Sequence, residues 1–194
     1  MNRKAKLIVL CIGFLFSSMV AFAQVDRDRG FLFQIGLGFA GISYPSDVEL
    51  LLDALESIPG VSRTRLNLHL GAGYTITPNL YGSFLIDGYA DRLDDNIDYL
   101  QVNSYLFGFG VIGYPFTTGL VLGAHAGPAR QVVDTNFAGS ATSSMGFGLS
   151  LMAGYDFARR LTGPSLMIGL RFGGATIEDE SLGFATLFGS FLVK

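Results

Sequence analysis

Along most of this chain, apolar residues recur at every second position. Residues 31–43 read FLFQIGLGFAGIS, with Phe31, Phe33, Ile35, Leu37 and Phe39 on one face and Gln34, Gly36, Gly38 and Ala40 on the other. A period of two over this length predicts a strand with one apolar face. In 64–76, Leu66, Leu68, Leu70, Ala72 and Tyr74 oppose Arg65, Asn67, His69, Gly71 and Gly73. The same alternation runs through 144–157 and 165–174. Less regular segments at 80–91, 99–114, 120–133 and 182–193 bring the expected strands to eight. Most are long enough to cross a bilayer at a tilt, which takes about 9–11 residues.

The expected connections alternate in length. Residues 77–79, 115–119 and 158–164 are short and turn-like, whereas 44–62, 91–98, 134–142 and 177–181 are mostly longer and polar. Short turns at one end and longer loops at the other describe an all-β, eight-stranded antiparallel up-and-down transmembrane barrel. Tyrosine placement agrees. Tyr74, Tyr81, Tyr114 and Tyr155 flank the short turns, Tyr44, Tyr89 and Tyr99 flank the longer loops, and only Tyr105 falls mid-strand. Two girdles of amphipathic rings suit two bilayer–water interfaces. Twelve of the sixteen acids lie in or at the edges of the four longer loops. Arg159, Arg160 and Lys194 lie with the short turns and the chain end, so the acidic loops are expected to face outward.

Composition adds limits. Of the 194 residues, 49% are hydrophobic and 15% charged, the opposite of a disordered chain. A net charge of −3 speaks against nucleic acid as a partner. One cysteine, Cys11, supports neither a disulfide framework nor a thiolate metal site. That cysteine lies in residues 1–23, which read as a cleaved secretory signal peptide: basic Arg3, Lys4 and Lys6, an apolar run from Leu7 to Phe16, and Ala21-Phe22-Ala23 before Gln24. Cleavage leaves residues 24–194 as one barrel domain, cysteine-free and with ten basic against sixteen acidic residues.

In this architecture the chain resembles the small eight-stranded outer-membrane proteins: the OmpA transmembrane domain, OmpX and OmpW. The resemblance spans nearly all of 31–194 and rests on strand pattern and leader rather than on a motif. It implies an outer-membrane location, lipid contact, and periplasmic chaperones and the barrel-assembly machinery as partners during biogenesis. It also implies a terminal aromatic residue, which here is Phe191, three positions before the end. A soluble lipocalin-like barrel fits less well, because one face here is apolar and the other glycine-rich, small and polar.

Candidate chemistry gathers on the glycine-rich, lumen-side face. A turn centred on Pro78 sets His69 opposite Asp87 and Arg65 opposite Asp91. With Arg171 and His125, these six residues form a candidate polar network, either filling a narrow lumen or acting as a gate. A Ser83–His69–Asp87 triad is conceivable but would point inward. A lipid A deacylase arrangement, His-x-Ser, fails because Gly127 stands where the serine belongs. No catalytic residue, metal site or cofactor is assigned.

The first external loop carries a helix signal. Ser46 and Glu49 have capping-box spacing, and Val48, Leu51, Leu52, Leu55 and Ile58 recur at helical intervals before Pro59-Gly60. Such an amphipathic helix could plug the barrel mouth, lie on the leaflet or dock a partner. Asp94-Asp95-Asn96-Ile97-Asp98 sets oxygen ligands at alternate positions like a calcium loop, but Tyr99 and Tyr105 stand at its glycine and glutamate positions, so a solvated acidic loop is expected. Strand 99–114 is ambiguous. Either a bulge switches its faces, or Phe107 and Phe109 line an apolar lumen. The first functional expectation is a narrow pore or conduit for small hydrophilic or hydrophobic solutes. The alternative is a closed, adhesin-like barrel whose acidic loops bind a host or envelope protein. An enzyme is not expected.

Overall fold

The computed structural model describes residues 30–95, 97–116, 118–158 and 163–194. The expected leader, Arg159 and Arg160 lie outside the described residues. The elements are β1 (Phe31–Ser43), α1 (Ser46–Glu56), β2 (Ser62–Thr77), β3 (Leu80–Asp94), β4 (Tyr99–Gly113), β5 (Leu120–Thr135), β6 (Gly139–Thr142), β7 (Gly146–Asp156), β8 (Pro164–Ile177) and β9 (Glu180–Val193). Each long strand pairs antiparallel with its chain neighbours, and β1 pairs β9, so eight strands close a barrel. The ninth, β6, is a four-residue strand that pairs β5 beyond the end of β7.

Closure follows from the period-two pattern. With two faces of opposite character on every strand, a closed cylinder gives each face one environment and leaves no long edge unpaired. Burial alternates accordingly. On β2, Asn67 and His69 are buried while Leu66, Leu68 and Leu70 are exposed. On β8, Met167 and Arg171 are buried while Leu166, Ile168, Leu170 and Phe172 are exposed.

The interior is filled in three storeys. At the loop end, an apolar cluster includes Ile42, Tyr44, Tyr89, Leu93, Val102, Leu106 and Phe184. At the end holding the chain termini, a second includes Leu32, Tyr81, Tyr114, Met152, Met167, Phe188 and Leu192. Between them lie the buried polar side chains Gln34, Asn67, His69, Asp87, His125, Ser150, Arg171 and Ser190. The terminal end is capped by Asp156, which accepts from Lys194 Nζ (2.6 Å), Tyr114 OH (2.9 Å) and Ser165.

Strand β4 resolves without a bulge. Its pairing with β3 is continuous from Leu80↔Gly113 to Asp94↔Tyr99. Phe109 therefore faces outward at 66% exposure, against Phe84 (ring centroids 4.9 Å apart), and Phe107 shares its parity. The expectation that these two phenylalanines line the lumen is corrected. Val102, Ser104, Leu106, Gly108 and Ile112 point inward instead, because an unbroken ladder cannot switch faces.

Two loops also differ from expectation. Residues 134–142 include a β5–β6 hairpin rather than a loop alone. Residues 177–181 form a two-residue turn: Ile177 pairs Glu180, and Glu178 (φ 53°) and Asp179 (φ 67°) both have positive φ, a type I′ geometry. Charged residues concealed the turn, since this geometry favours Asn-Gly. The Glu178 carboxylate also accepts from the Ser144 N–H (2.7 Å), which holds its pKa below the usual glutamate range. Asp179→Gly should stabilise the refolded barrel by about 0.5–1 kcal/mol, the left-handed penalty exceeding the entropy cost of glycine. Denaturant midpoints of the two proteins would measure this.

Candidate functional site

The polar middle storey is the candidate site, and strand register builds it. The β2–β3 ladder sets His69 opposite Asp87 and Arg65 opposite Asp91 as expected, although the turn closes on Thr77↔Leu80 and a register shift between Thr75 and Thr77 is needed to reach those pairs. The side chains then choose other partners. Asp87 accepts from Arg171 Nη1 (2.8 Å), Asn67 Nδ2 (2.7 Å) and Tyr89 OH (2.8 Å). His69 does not bond Asp87. Its Nδ1 meets Asn67 Oδ1 (3.1 Å), and its Nε2 meets Ser190 Oγ (2.7 Å) and Gln34 Nε2 (3.0 Å).

These contacts specify the protons. The carboxylate of Asp87, paired with Arg171, takes hydrogens only. Asn67 must turn its amide to Asp87 and its carbonyl to His69. His69 then donates from Nδ1 and accepts at Nε2. Asn67 is the hinge between an ionic half and a neutral half of the network.

Arg171 is fully buried. Its charge is met by Asp87 and by the face of Phe188, 4.9 Å from the guanidinium carbon. The backbone leaves room for little else. A methyl group added at Gly36 would overlap the His69 ring.

His125 stands apart. Its Nε2 meets Ser83 Oγ at 2.8 Å, and it lies opposite Ser150 on β7. The conceivable Ser83–His69–Asp87 triad is thus not assembled. Ser83 lies against His125, while His69 lies against Ser190. A serine contact with histidine activates a nucleophile only where substrate reaches it. Ser190 and His69 are 3% and 0% exposed, between two apolar clusters.

A second ionic group sits at the loop end and pins α1. Arg63 holds Asp91 through two parallel bonds, Nε to Oδ1 (2.9 Å) and Nη2 to Oδ2 (2.7 Å). Its Nη1 reaches Asp53 (3.0 Å) and Glu56 (3.3 Å) on α1. Arg65 joins Asp91 (3.3 Å) to Glu49 (3.2 Å). Arg63 was not among the expected site residues, although its spacing from Arg65 put both on one face.

The helix itself forms where expected, with a different start. Pro45 occupies the cap position and Ser46 makes no capping bond. Glu49 still reaches back, accepting from the Tyr44 N–H (3.3 Å). Leu52 is 2% exposed within the upper apolar cluster, and Val48 and Leu55 pack beside it. Leu51 (59%) and Ile58 (49%) do not join this buried face, which corrects their assignment to it. In the β3–β4 loop, the Asp95 carboxylate accepts from the N–H groups of Asp98 (2.7 Å) and Ile97 (2.9 Å). Those bonds hold its pKa below the usual range, and Asn96 of the calcium-like spacing lies outside the described residues.

No family profile matches the sequence, and no curated protein is similar to it. Solved structures do share its fold. Neisserial surface protein A superposes with a TM-score of 0.55 at 18% identity, over 84% of this chain and 96% of that one. Ail, the attachment invasion locus protein of Yersinia pestis, gives 0.55 at 10% identity, over 85% and 98%. The fold is that of the small eight-stranded outer-membrane barrels.

The Arg171–Asp87 pair yields a direct test. Arg171→Met leaves a buried carboxylate unpaired and should cost about 3–5 kcal/mol. Adding Asp87→Asn should recover a large part of that loss, since no buried charge then remains. Urea unfolding of the lipid-inserted barrel, in a double-mutant cycle, would read both values.

Proposed function

We propose that this protein is an integral outer-membrane barrel with a closed lumen, whose working surface is its loop end. Membrane residence is supported by the outer wall. Leu37 (67% exposed), Phe39 (75%), Leu68 (57%), Phe147 (63%) and Leu166 (61%) are a few of the large apolar side chains it displays. Such a continuous belt is costly in water and favourable in hydrocarbon. The alternating strands, the outward Tyr74 and Tyr155 at the short-turn end and the N-terminal leader pattern support export to the outer membrane, with lipids, periplasmic chaperones and the assembly machinery as biogenesis partners. Tyr44, Tyr81, Tyr89 and Tyr114, expected in the two girdles, point into the lumen instead.

Tyr105 supports the same placement. It lies outward, in register with Gly88 and Arg130. Beyond it on β4 the outward residues are Asn103, Gln101 and Tyr99, and β3 adds Arg92. Tyr105 is read as marking the outer interface on this side, and β3 and β4 run on past it for about 20 Å along the tilted strands, at roughly 3.4 Å per residue. On the opposite side the Glu178-Asp179 turn keeps β8 and β9 low.

The observation that carries the closed reading is the filled interior. Arg171, Asp87, His69, Asn67 and Asp91 have no exposure, and α1 lies across the mouth above them. An eight-stranded barrel has just enough room for such side chains. This favours the interaction barrel over the pore for solutes, and a sealed network favours structure over catalysis.

The test is single-channel recording of refolded residues 24–194 in a planar bilayer, with insertion verified by heat-dependent gel mobility. Inserted barrels should pass no discrete current, and Arg63→Ala with Arg65→Ala should stay silent because the middle storey remains. Reproducible steps from the unaltered barrel would restore the pore.

A further inference from the structure

The geometry points to the outer face of α1 as a docking site for a partner protein segment that presents apolar side chains among lysines or arginines. This rests on the closed-barrel reading above and names the chemistry of its partner.

The helix is apolar on two sides. Val48, Leu52 and Leu55 face the lumen and are spoken for. Leu50, Ala54 and Leu51 fall within about 100° of arc on another side, at 100° per residue. Ile58, just past the helix end, extends this stripe. Leu50 is 71% exposed, Leu51 59% and Ile58 49%. A helix of eleven residues gains nothing for its own barrel from this second stripe. Three large aliphatic side chains side by side in water mark an interaction surface.

Position decides against lipid as the occupant. Asp53, Glu56 and Glu49 of α1 are held by Arg63 and Arg65 of β2, and Val48 lines one cavity with Gln131 of β5 and Leu182 of β9, so α1 spans the mouth. The face opposite that contact looks along the barrel axis, away from the bilayer.

Charge decides the partner's chemistry. Asp47 lies within the stripe, and Asp53 and Glu56 lie on the same helix. Among the described residues, the loop end carries twelve acids against Arg63, Arg65, Arg92 and Arg130. Arg63 and Arg65 are engaged with Asp91 and the helix acids. The field over the stripe is negative, which steers a cationic segment toward it. The same field opposes a second copy of this chain, since a two-fold contact would set acids against acids. A basic amphipathic helix laid against α1 would match the apolar anchors and the charge together.

The test uses the refolded barrel in a nonionic amphipol, where no lipid surface competes. The probe is a fluorescent amphipathic Leu–Lys helix of about 18 residues, read by anisotropy. Binding above that of empty amphipol is expected. It should weaken at least about tenfold in Leu50→Ser/Leu51→Ser/Ile58→Ser. It should also weaken as salt rises from about 50 to about 500 mM. Asp47→Lys, which leaves every apolar contact in place, should weaken it as well. Heat-dependent gel mobility confirms that each variant is folded. Equal affinity for the triple-serine barrel would overturn the site. Equal affinity for a Leu–Glu helix would overturn the cationic partner. Sedimentation showing paired barrels that separate in the triple-serine variant would replace the partner with a second copy. A conducting barrel would sink the closed reading by itself, whatever the peptide does.

Discussion

An eight-stranded barrel encloses little more volume than its inward side chains occupy. Every inward position therefore has a consequence for the others, and the buried pair Arg171–Asp87 sets the terms for the middle of this lumen. A guanidinium with no solvent contact needs a carboxylate, and that carboxylate needs its remaining lone pairs filled. Asn67 and Tyr89 fill them. Asn67 is then committed in orientation, which commits His69, which commits Ser190 and Gln34. One ion pair orders side chains from β1, β2, β3, β8 and β9.

The arrangement divides labour along the barrel axis. Apolar clusters lie at each end of the polar storey, and burial between them strengthens its hydrogen bonds and raises the cost of breaking any of them. The loop end adds a second ionic group with a different task. Asp91 is shared by Arg63 and Arg65, whose remaining donors reach the acids of α1. The barrel wall thereby grips the helix that covers it. Lys194 on Asp156 closes the other end. At the loop end the β5–β6 hairpin extends past β7, whereas β8 and β9 are joined by a two-residue turn.

Much of this was legible in the residues. The period of two marked most strands, and in β1 and β2 it put Gln34, Gly36, Ala40, Asn67 and His69 on the face that turns inward. The expected β2–β3 pairs are present, but the turn alone does not set them: it closes on Thr77↔Leu80, and a register shift of one between Thr75 and Thr77 brings His69 opposite Asp87 and Arg65 opposite Asp91. The helix in the first loop was visible from Val48, Leu51, Leu52, Leu55 and Ile58, of which Leu51 and Ile58 stay exposed. Strand β4 was ambiguous because both of its faces are rich in apolar residues. The Glu178-Asp179 turn was hidden because neither residue is the glycine or asparagine such a turn prefers.

The sequence by itself determined local matters: strand or helix, inward or outward, and neighbour across a hairpin. These depend on alternation and on turn geometry within about 30 residues. Tertiary structure alone decided which inward groups meet. His69 finds Ser190 at a separation of 121 residues, Asp87 finds Arg171 at 84, and Ser83 takes the His125 that hairpin logic left unassigned. Closure brings those strands around a common axis, and contact across a lumen depends on the stagger of all eight at once. The same closure gave the amphipathic loop helix one buried face and one bare one.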